Sequence, residues 1–245
     1  MNQVTRLYEQ ALVWDAHSGF SPSPDADLGG LVAWKNAGVG FLSINVGYDV
    51  MPWGETVKTL AAFRRWIAAS EDYALVGRAR EIELVRRQGR MAVAFDIEGA
   101  LALDGRPEMV SLYHDLGVRQ MLLAYNRGNA VAGGCHDVDS GLTALGREVI
   151  AEMNRVGMVV DCSHCSYRTT LDAMACSTAP VVFSHSNARA LSAHQRNIVD
   201  EQARACAATG GVVGLAGYQL FLGGSDPPTV DRLAEHIDYF CDLIG

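Results

Sequence analysis

The chain has 245 residues, 49% hydrophobic and 20% charged, with 25 Gly and only 7 Pro, a balance that packs a core and excludes disordered, collagen-like and coiled-coil chains. Its net charge of −8 is spread over dispersed basic and acidic residues, which excludes the electrostatic footprint of a nucleic-acid or anionic-membrane binder. The 6 Cys are too few for a disulfide scaffold, and neither a signal-type N-terminus nor a run of about 18 apolar residues occurs, so a soluble, cytoplasmic protein is expected.

Seven short apolar runs rich in β-branched residues follow one another along the chain, at 11–15, 39–46, 91–97, 120–125, 158–161, 181–183 and 212–216. Each is continuous rather than alternating and lies near Gly, as expected of a strand buried on both faces of a parallel sheet. Between most of them the apolar residues recur with helical spacing, at 57–70, 82–88, 109–116, 145–156, 167–177, 200–209 and 230–244. Strand followed by helix, repeated seven times in this length, predicts an α/β fold of the TIM-type barrel class, with residues 1–245 as a single domain.

In such a barrel the functional groups stand at the C-terminal ends of the strands. Reading those ends in order gives Asp15-Ala16-His17, then Asp96-Ile97-Glu98-Gly99, Tyr125-Asn126, Asp161-Cys162-Ser163-His164 and Ser184-His185-Ser186. His17, Glu98, His164 and His185 thus occupy matched places on four strands. Imidazole and carboxylate are the usual protein ligands of a catalytic zinc ion, so the pattern predicts a metallohydrolase. Cys162 and Cys165 form a C-x-x-C without a second pair at zinc-ribbon spacing and are read as packing residues. The Gly-rich stretch 128–141 is long enough to form a lid, with His136 as a solvated loop residue, while His114, His194 and His236 read as structural. No phosphate-binding or nucleophile-elbow motif occurs.

The blocks Phe95-Asp96-Ile97-Glu98-Gly99-Ala100, Leu116-Gly117-Val118-Arg119, Gly141-Leu142-Thr143-Ala144-Leu145-Gly146-Arg147, Asp161-Cys162-Ser163-His164, Val182-Phe183-Ser184-His185-Ser186 and Arg196-Asn197 resemble, in that order, the membrane (renal-type) dipeptidase family. These are the M19 metallopeptidases of the amidohydrolase-like barrels. The resemblance is specific over residues 98–244 and weaker before them. It implies a zinc-dependent hydrolase that cleaves the amide bond of dipeptides or similar small N-acyl amino acids. It also implies that His17 and Glu98 belong to one metal position, and Glu98, His164 and His185 to another.

Three departures from the family pattern modify that expectation. Position 19 is Gly where the family has a ligating Asp, so one zinc per chain is expected rather than two. Tyr125 stands where the family places a His on the carbonyl oxygen of the scissile bond. Arg196, eleven residues beyond His185, matches the Arg that grips the substrate carboxylate, so Tyr125 and Arg196 are the expected substrate-binding residues. The sequence reaches Leu243-Ile244-Gly245 where the family's eighth strand, with its proton-handling Asp, would begin: either a longer protein is cut here or the strand and its Asp are lost, so the barrel expected of this chain lacks that strand and no catalytic proton carrier is assigned. A catalytically impaired or inactive relative, or an amidohydrolase of altered specificity, are the alternatives these departures raise. The resemblance adds a homodimer to the expected partners, beside a small peptide-like substrate and with neither nucleic acid nor membrane.

Overall fold

The computed structural model describes residues 3–224 and 227–245. Met1 and Asn2, which open the segment read above for a signal sequence, lie outside them. Among the described residues the chain forms one parallel sheet of seven strands: β1 (Trp14–Ser18), β2 (Phe41–Tyr48), β3 (Tyr73–Leu75), β4 (Met91–Glu98), β5 (Val118–Leu122), β6 (Val159–Asp161) and β7 (Val181–Val182). Their order is β1-β2-β4-β5-β6-β7, with β3 paired to β4 through Tyr73↔Met91 and Leu75↔Val93. The main crossover helices are α1 (Trp53–Ala68), α2 (Ala79–Arg87), α3 (Met109–Asp115), α4 (Ala144–Val156), α5 (Tyr167–Cys176) and α6 (Asp200–Ala208), and α7 (Val230–Ile244) closes the chain.

Every residue of β4 is buried, which is why Met91–Glu98 reads as an unbroken apolar run until its last turn toward the site. Leu42, Ile44, Val93, Phe95 and Phe183 fill the core, and each side chain of this size contributes about 1.5–3 kcal/mol on burial. Local signals set the helix ends. Thr143 caps α4 by accepting the Gly146 N–H at 3.0 Å, and Gly157 ends that helix at φ 82. His236 of α7 is fully buried, accepting the Ala188 N–H at 3.1 Å on Nδ1 and donating from Nε2 to the Leu222 carbonyl, a structural clamp as expected.

Three expectations need correction. The first strand runs over Trp14–Ser18 rather than 11–15, because Ala11 still belongs to the preceding helical turn, its N–H bonding the Leu7 carbonyl, and pairing with β2 begins at Trp14↔Phe41. The fourth predicted strand begins and ends earlier, at Val118–Leu122, and residues 123–126 leave the sheet to build the site. Residues 212–216 do not form a regular strand. They join β7 by a single parallel bridge, Phe183↔Val213, and Gly214 comes so close that a Cβ there would lie 2.2 Å from the Ser184 carbonyl oxygen.

Among the described residues no strand follows 212–216 in the sheet, so over them the fold is a TIM-type barrel short of its eighth strand. The opening between this segment and β1 is a cleft of about 520 Å³ that reaches His17 and His185 and is flanked by Trp14, Leu215, Tyr218 and Phe221. No helix among the described residues is long and apolar enough to cross a membrane.

Candidate metal centre

The four residues predicted as ligands meet at the C-terminal ends of their strands. Oε1 of Glu98 is the common point: His164 Nε2 lies 3.2 Å from it, His17 Nε2 3.4 Å and His185 Nε2 3.6 Å. His164 and His185 approach each other at 2.8 Å between their Nε2 atoms, and the rings of His17 and His185 stack at 4.4 Å. His17, Glu98 and His185 present ligand atoms that all lie within 4.8 Å of one another.

Each imidazole is turned by an oxygen atom at its other nitrogen. His17 Nδ1 donates to Asp96 Oδ1 at 3.0 Å, and His164 Nδ1 to Asn126 Oδ1 at 2.7 Å; His185 Nδ1 shares a 2.7 Å hydrogen bond with Ser184 Oγ. The acceptors at His17 and His164 place a proton on Nδ1 and turn Nε2 toward the cluster, where a deprotonated Nε2 is the form a metal ligand requires; at His185 the Ser184 hydroxyl can donate or accept. Asp96 is itself fully buried and accepts Ser43 Oγ at 2.7 Å and Asn45 Nδ2 at 3.0 Å, so its position does not depend on solvent. His164 and Asn126 both have positive φ, 67° and 61°, in a region that non-glycine residues rarely occupy and that here sits at the ends of two strands.

The electrostatics suit a cation. Burial would lower the His17 pKa, but Asp96 and then Glu98 and Asp161 outweigh it and push the imidazole up to about 10. Burial pushes the Glu98 carboxyl up to about 7. His164 and His185 go the other way, held well below 6.5 by burial and by the positive charges of His17 and Arg196, and are neutral at physiological pH. The Nε2 atoms of His164 and His185, 2.8 Å apart, are held together by a proton on one of them or by a cation that takes both lone pairs. Ligands bonded at about 2.0–2.1 Å to one tetrahedral ion stand about 3.3 Å apart, which is the spacing seen around Glu98 Oε1. The donor set therefore fits a divalent metal.

Position 19 contributes no ligand, and a Cβ placed on Gly19 would meet nothing within 4 Å, so lack of space is not what keeps a side chain out. Asp15 faces away, accepting Trp34 Nε1 at 2.8 Å. Tyr125 packs its ring against His164 at 4.6 Å and against Tyr48 at 5.5 Å. Its hydroxyl is directed to no partner among the described residues, and burial raises its pKa, so it remains a donor at neutral pH. Arg196 is only 4% exposed, yet its Nε is unpartnered and its nearest polar contact is a long one, Nη2 to the His185 carbonyl at 3.4 Å. Its guanidinium lies 5.1 Å from the Phe221 ring centroid and pairs with no carboxylate among the described residues.

Cys162 and Cys165 are buried free thiols beside His164. The hydrogen bond that the Cys162 thiol donates to Cys165, and then burial, raise the Cys162 pKa well above its usual value, so it stays protonated and packs. His136, in the Gly-rich loop, bonds Gln195 Oε1 at 2.8 Å. Sequence reasoning assigned no role to Asp96, Asn126 or Ser184, although all three stand in the strand-end motifs beside a ligand. It missed Asp49 altogether. The Asp49 carboxylate accepts the Leu101 N–H at 2.8 Å and Asn129 Nδ2 at 2.7 Å, and its own N–H bonds the Glu98 carbonyl at 2.7 Å. Gly99, at φ 99, is required there, since a Cβ would fall 2.2 Å from that carboxylate.

Three imidazoles and a carboxylate converging at the strand ends define the class: parallel barrels that offer a set of potential metal ligands at the mouth. The chain belongs to the membrane dipeptidase family (peptidase family M19), whose sequence profile matches residues 36–245. It is 40% identical over 171 residues to the uncharacterized dipeptidase C965.12 of Schizosaccharomyces pombe, covering 67% of this chain and 41% of that protein. Over 181 residues it is 32% identical to the dipeptidase tcpJ of Claviceps purpurea, covering 72% of this chain and 42% of the relative. The chain thus spans less than half the length of these two curated relatives. Among solved structures, an amidohydrolase from Pseudomonas aeruginosa superposes with a TM-score of 0.88 at 27% identity, over 98% of this chain and 73% of that one. A metallo peptidase from Rhodobacter sphaeroides, liganded with a phosphinate mimic of the dipeptide L-Ala-D-Ala, shares the fold with a TM-score of 0.82 at 22% identity, over 95% of this chain and 82% of that one. Membership of a metallopeptidase family implies a metal cofactor.

Proposed function

We propose that this chain carries the active centre of a zinc-dependent dipeptidase-type hydrolase, which cleaves the amide bond of dipeptides or similar small N-acyl amino acids. The observation that carries the reading is the convergence of three oriented Nε2 atoms on Glu98 Oε1 within 3.2–3.6 Å. Glu98, His164 and His185 would hold one zinc ion, with His17 at its flank, and one ion per chain is favoured over two because position 19 supplies no carboxylate. Bound there, zinc supplies Lewis-acid polarisation of the amide carbonyl and a lowered pKa for water.

The chain's own residues handle the rest of the substrate. The Arg196 guanidinium, buried and paired with no carboxylate among the described residues, takes the terminal carboxylate of the substrate through its planar fork. Tyr125 donates its free hydroxyl to the oxygen of the scissile carbonyl as negative charge develops on it. Burial of the Arg196 guanidinium lowers the local dielectric and strengthens its contact with the substrate carboxylate. Assaying a panel of dipeptides with the zinc-loaded protein tests the reading: turnover of at least one free dipeptide, absent after chelation, supports it. A fully metal-loaded chain that turns over none of them sinks it.

A further inference from the structure

None of the three histidines is held by a regular strand ladder. The register between β1 and β2 shifts between Asp15 and Ser18, so His17 sits on an irregularity; His164 lies in a turn at φ 67; His185 lies beyond the last residue of β7. Something other than the sheet must fix their mutual distances, and the barrel interior contains it. Asp161, at the end of β6, is completely buried. Its Oδ1 accepts the N–H of Ser163 at 2.8 Å and the N–H of Ser184 at 3.2 Å, the residues immediately before His164 and His185. Its Oδ2 accepts Gln120 Nε2 at 3.0 Å, and the same nitrogen donates at 3.1 Å to the carbonyl of Ala16, the residue immediately before His17.

The connections are specific in their chemistry. Gln120 is 5% exposed, and both hydrogens of its side-chain nitrogen are spent on this pair of acceptors, which fixes its orientation, since the reverse would set its oxygen against two others. Ser163 Oγ accepts the His185 N–H at 3.2 Å and lies 3.3 Å from Ser184 Oγ, tying the two turns together a second time. A buried carboxylate held only by neutral N–H and O–H donors is costly in a chain built for stability alone. It is well suited to a place directly beneath a cation.

We propose that Gln120 and Asp161 are positioning residues, a buried brace that sets the spacing of His17, His164 and His185 and through it the affinity of the site for a divalent ion. This rests on reading Glu98 and the three histidines as a metal centre. Outer partners of metal ligands are typically worth 10–100-fold in affinity, and this brace touches none of the ligands' side chains, acting through the backbone that carries them.

The test uses the full chain and two variants, Asp161→Asn and Gln120→Met, titrated with Zn²⁺ against a chromophoric chelator and, separately, with Co²⁺ for its visible absorption bands. We expect each variant to bind at least 10-fold more weakly than the unsubstituted chain and to shift the Co²⁺ bands, while Gln120→Met remains folded by circular dichroism in the metal-free state. A merely structural role would lower the melting temperature and leave the affinity and the Co²⁺ spectrum of the folded protein unchanged. Binding within twofold of the unsubstituted chain, with the same spectrum, in every variant that folds, overturns the brace and leaves the metal centre standing. An unsubstituted chain that takes up neither ion overturns the metal centre itself, and the brace with it.

Discussion

His164 Nδ1 and Asn126 Oδ1 are 2.7 Å apart, and both residues hold left-handed backbone, φ 67° and 61°. One strained strand end aims the other. Replacing Asn126 with Ala removes the acceptor and the side chain that best tolerates this conformation. We expect Asn126→Ala to weaken zinc binding by about 10-fold or more, whereas Asn126→Asp, which keeps an acceptor oxygen and the conformational tolerance, stays within a few fold. Equal affinities for the two variants, measured by chelator competition, would show that this contact does not orient His164.

Metal binding is expected to release protons in a pH-dependent number. In the metal-free site the pKa of His17 is raised to about 10 and that of Glu98 to about 7, while His164 and His185 are held well below 6.5. Groups with raised pKa values keep their protons until the ion displaces them, so affinity must fall with pH, most steeply below the Glu98 value. Calorimetry in buffers of different ionisation enthalpy should give about one proton released near pH 8.5, from His17, rising toward two near pH 6 as Glu98 joins it. A constant number across that range would mean that Glu98 does not titrate as described.

Gly19→Asp tests why a single ion is favoured. The added side chain points into open space, two residues beyond His17, and supplies the charge and the donor that a second position lacks. Metal analysis should rise from about one zinc per chain to about two. No gain, in a variant that folds, would mean that something other than position 19 limits the count.

Arg196 separates function from stability. A guanidinium only 4% exposed and without a carboxylate partner among the described residues costs the fold roughly several kcal/mol in desolvation. Arg196→Met, close in shape to the aliphatic stem, should raise the melting temperature by at least about 2 °C while raising KM for dipeptides by 10-fold or more. Arg196→Lys keeps the charge but not the fork and should also raise KM, with kcat changed far less. A melting temperature that falls in Arg196→Met would assign this residue to the structure instead.

The barrel and the four residues that meet at its strand ends were legible because both leave strong local traces. Buried parallel strands such as Met91–Glu98 are continuous apolar runs, and the His and Glu of the candidate site recur after them in register with the fold. Very short elements leave no such trace, and a trace does not guarantee a regular strand where pairing is one-sided. Tyr73–Leu75 is too brief for any periodicity, and the extended segment at 212–216 has a partner on one side only. Asp96 and Asp161 were visible in the motifs as residues but not as parts of the site, because their roles come from contacts across 79 residues to His17 and 41 to Gln120, which no local pattern encodes. Asp49 is the clearest case: it lies in a loop of ordinary polarity, and only the fold brings Leu101 and Asn129 to it.

The most direct test is a zinc titration of the metal-free chain beside Glu98→Gln and His185→Ala, since Glu98 and His185 are shared by both sets of neighbouring ligands. We expect about one tightly bound zinc per chain, a large loss of affinity in both variants, and a smaller loss in His17→Ala. Zinc bound equally well by the unsubstituted chain and by His185→Ala would contradict the assignment of the metal centre.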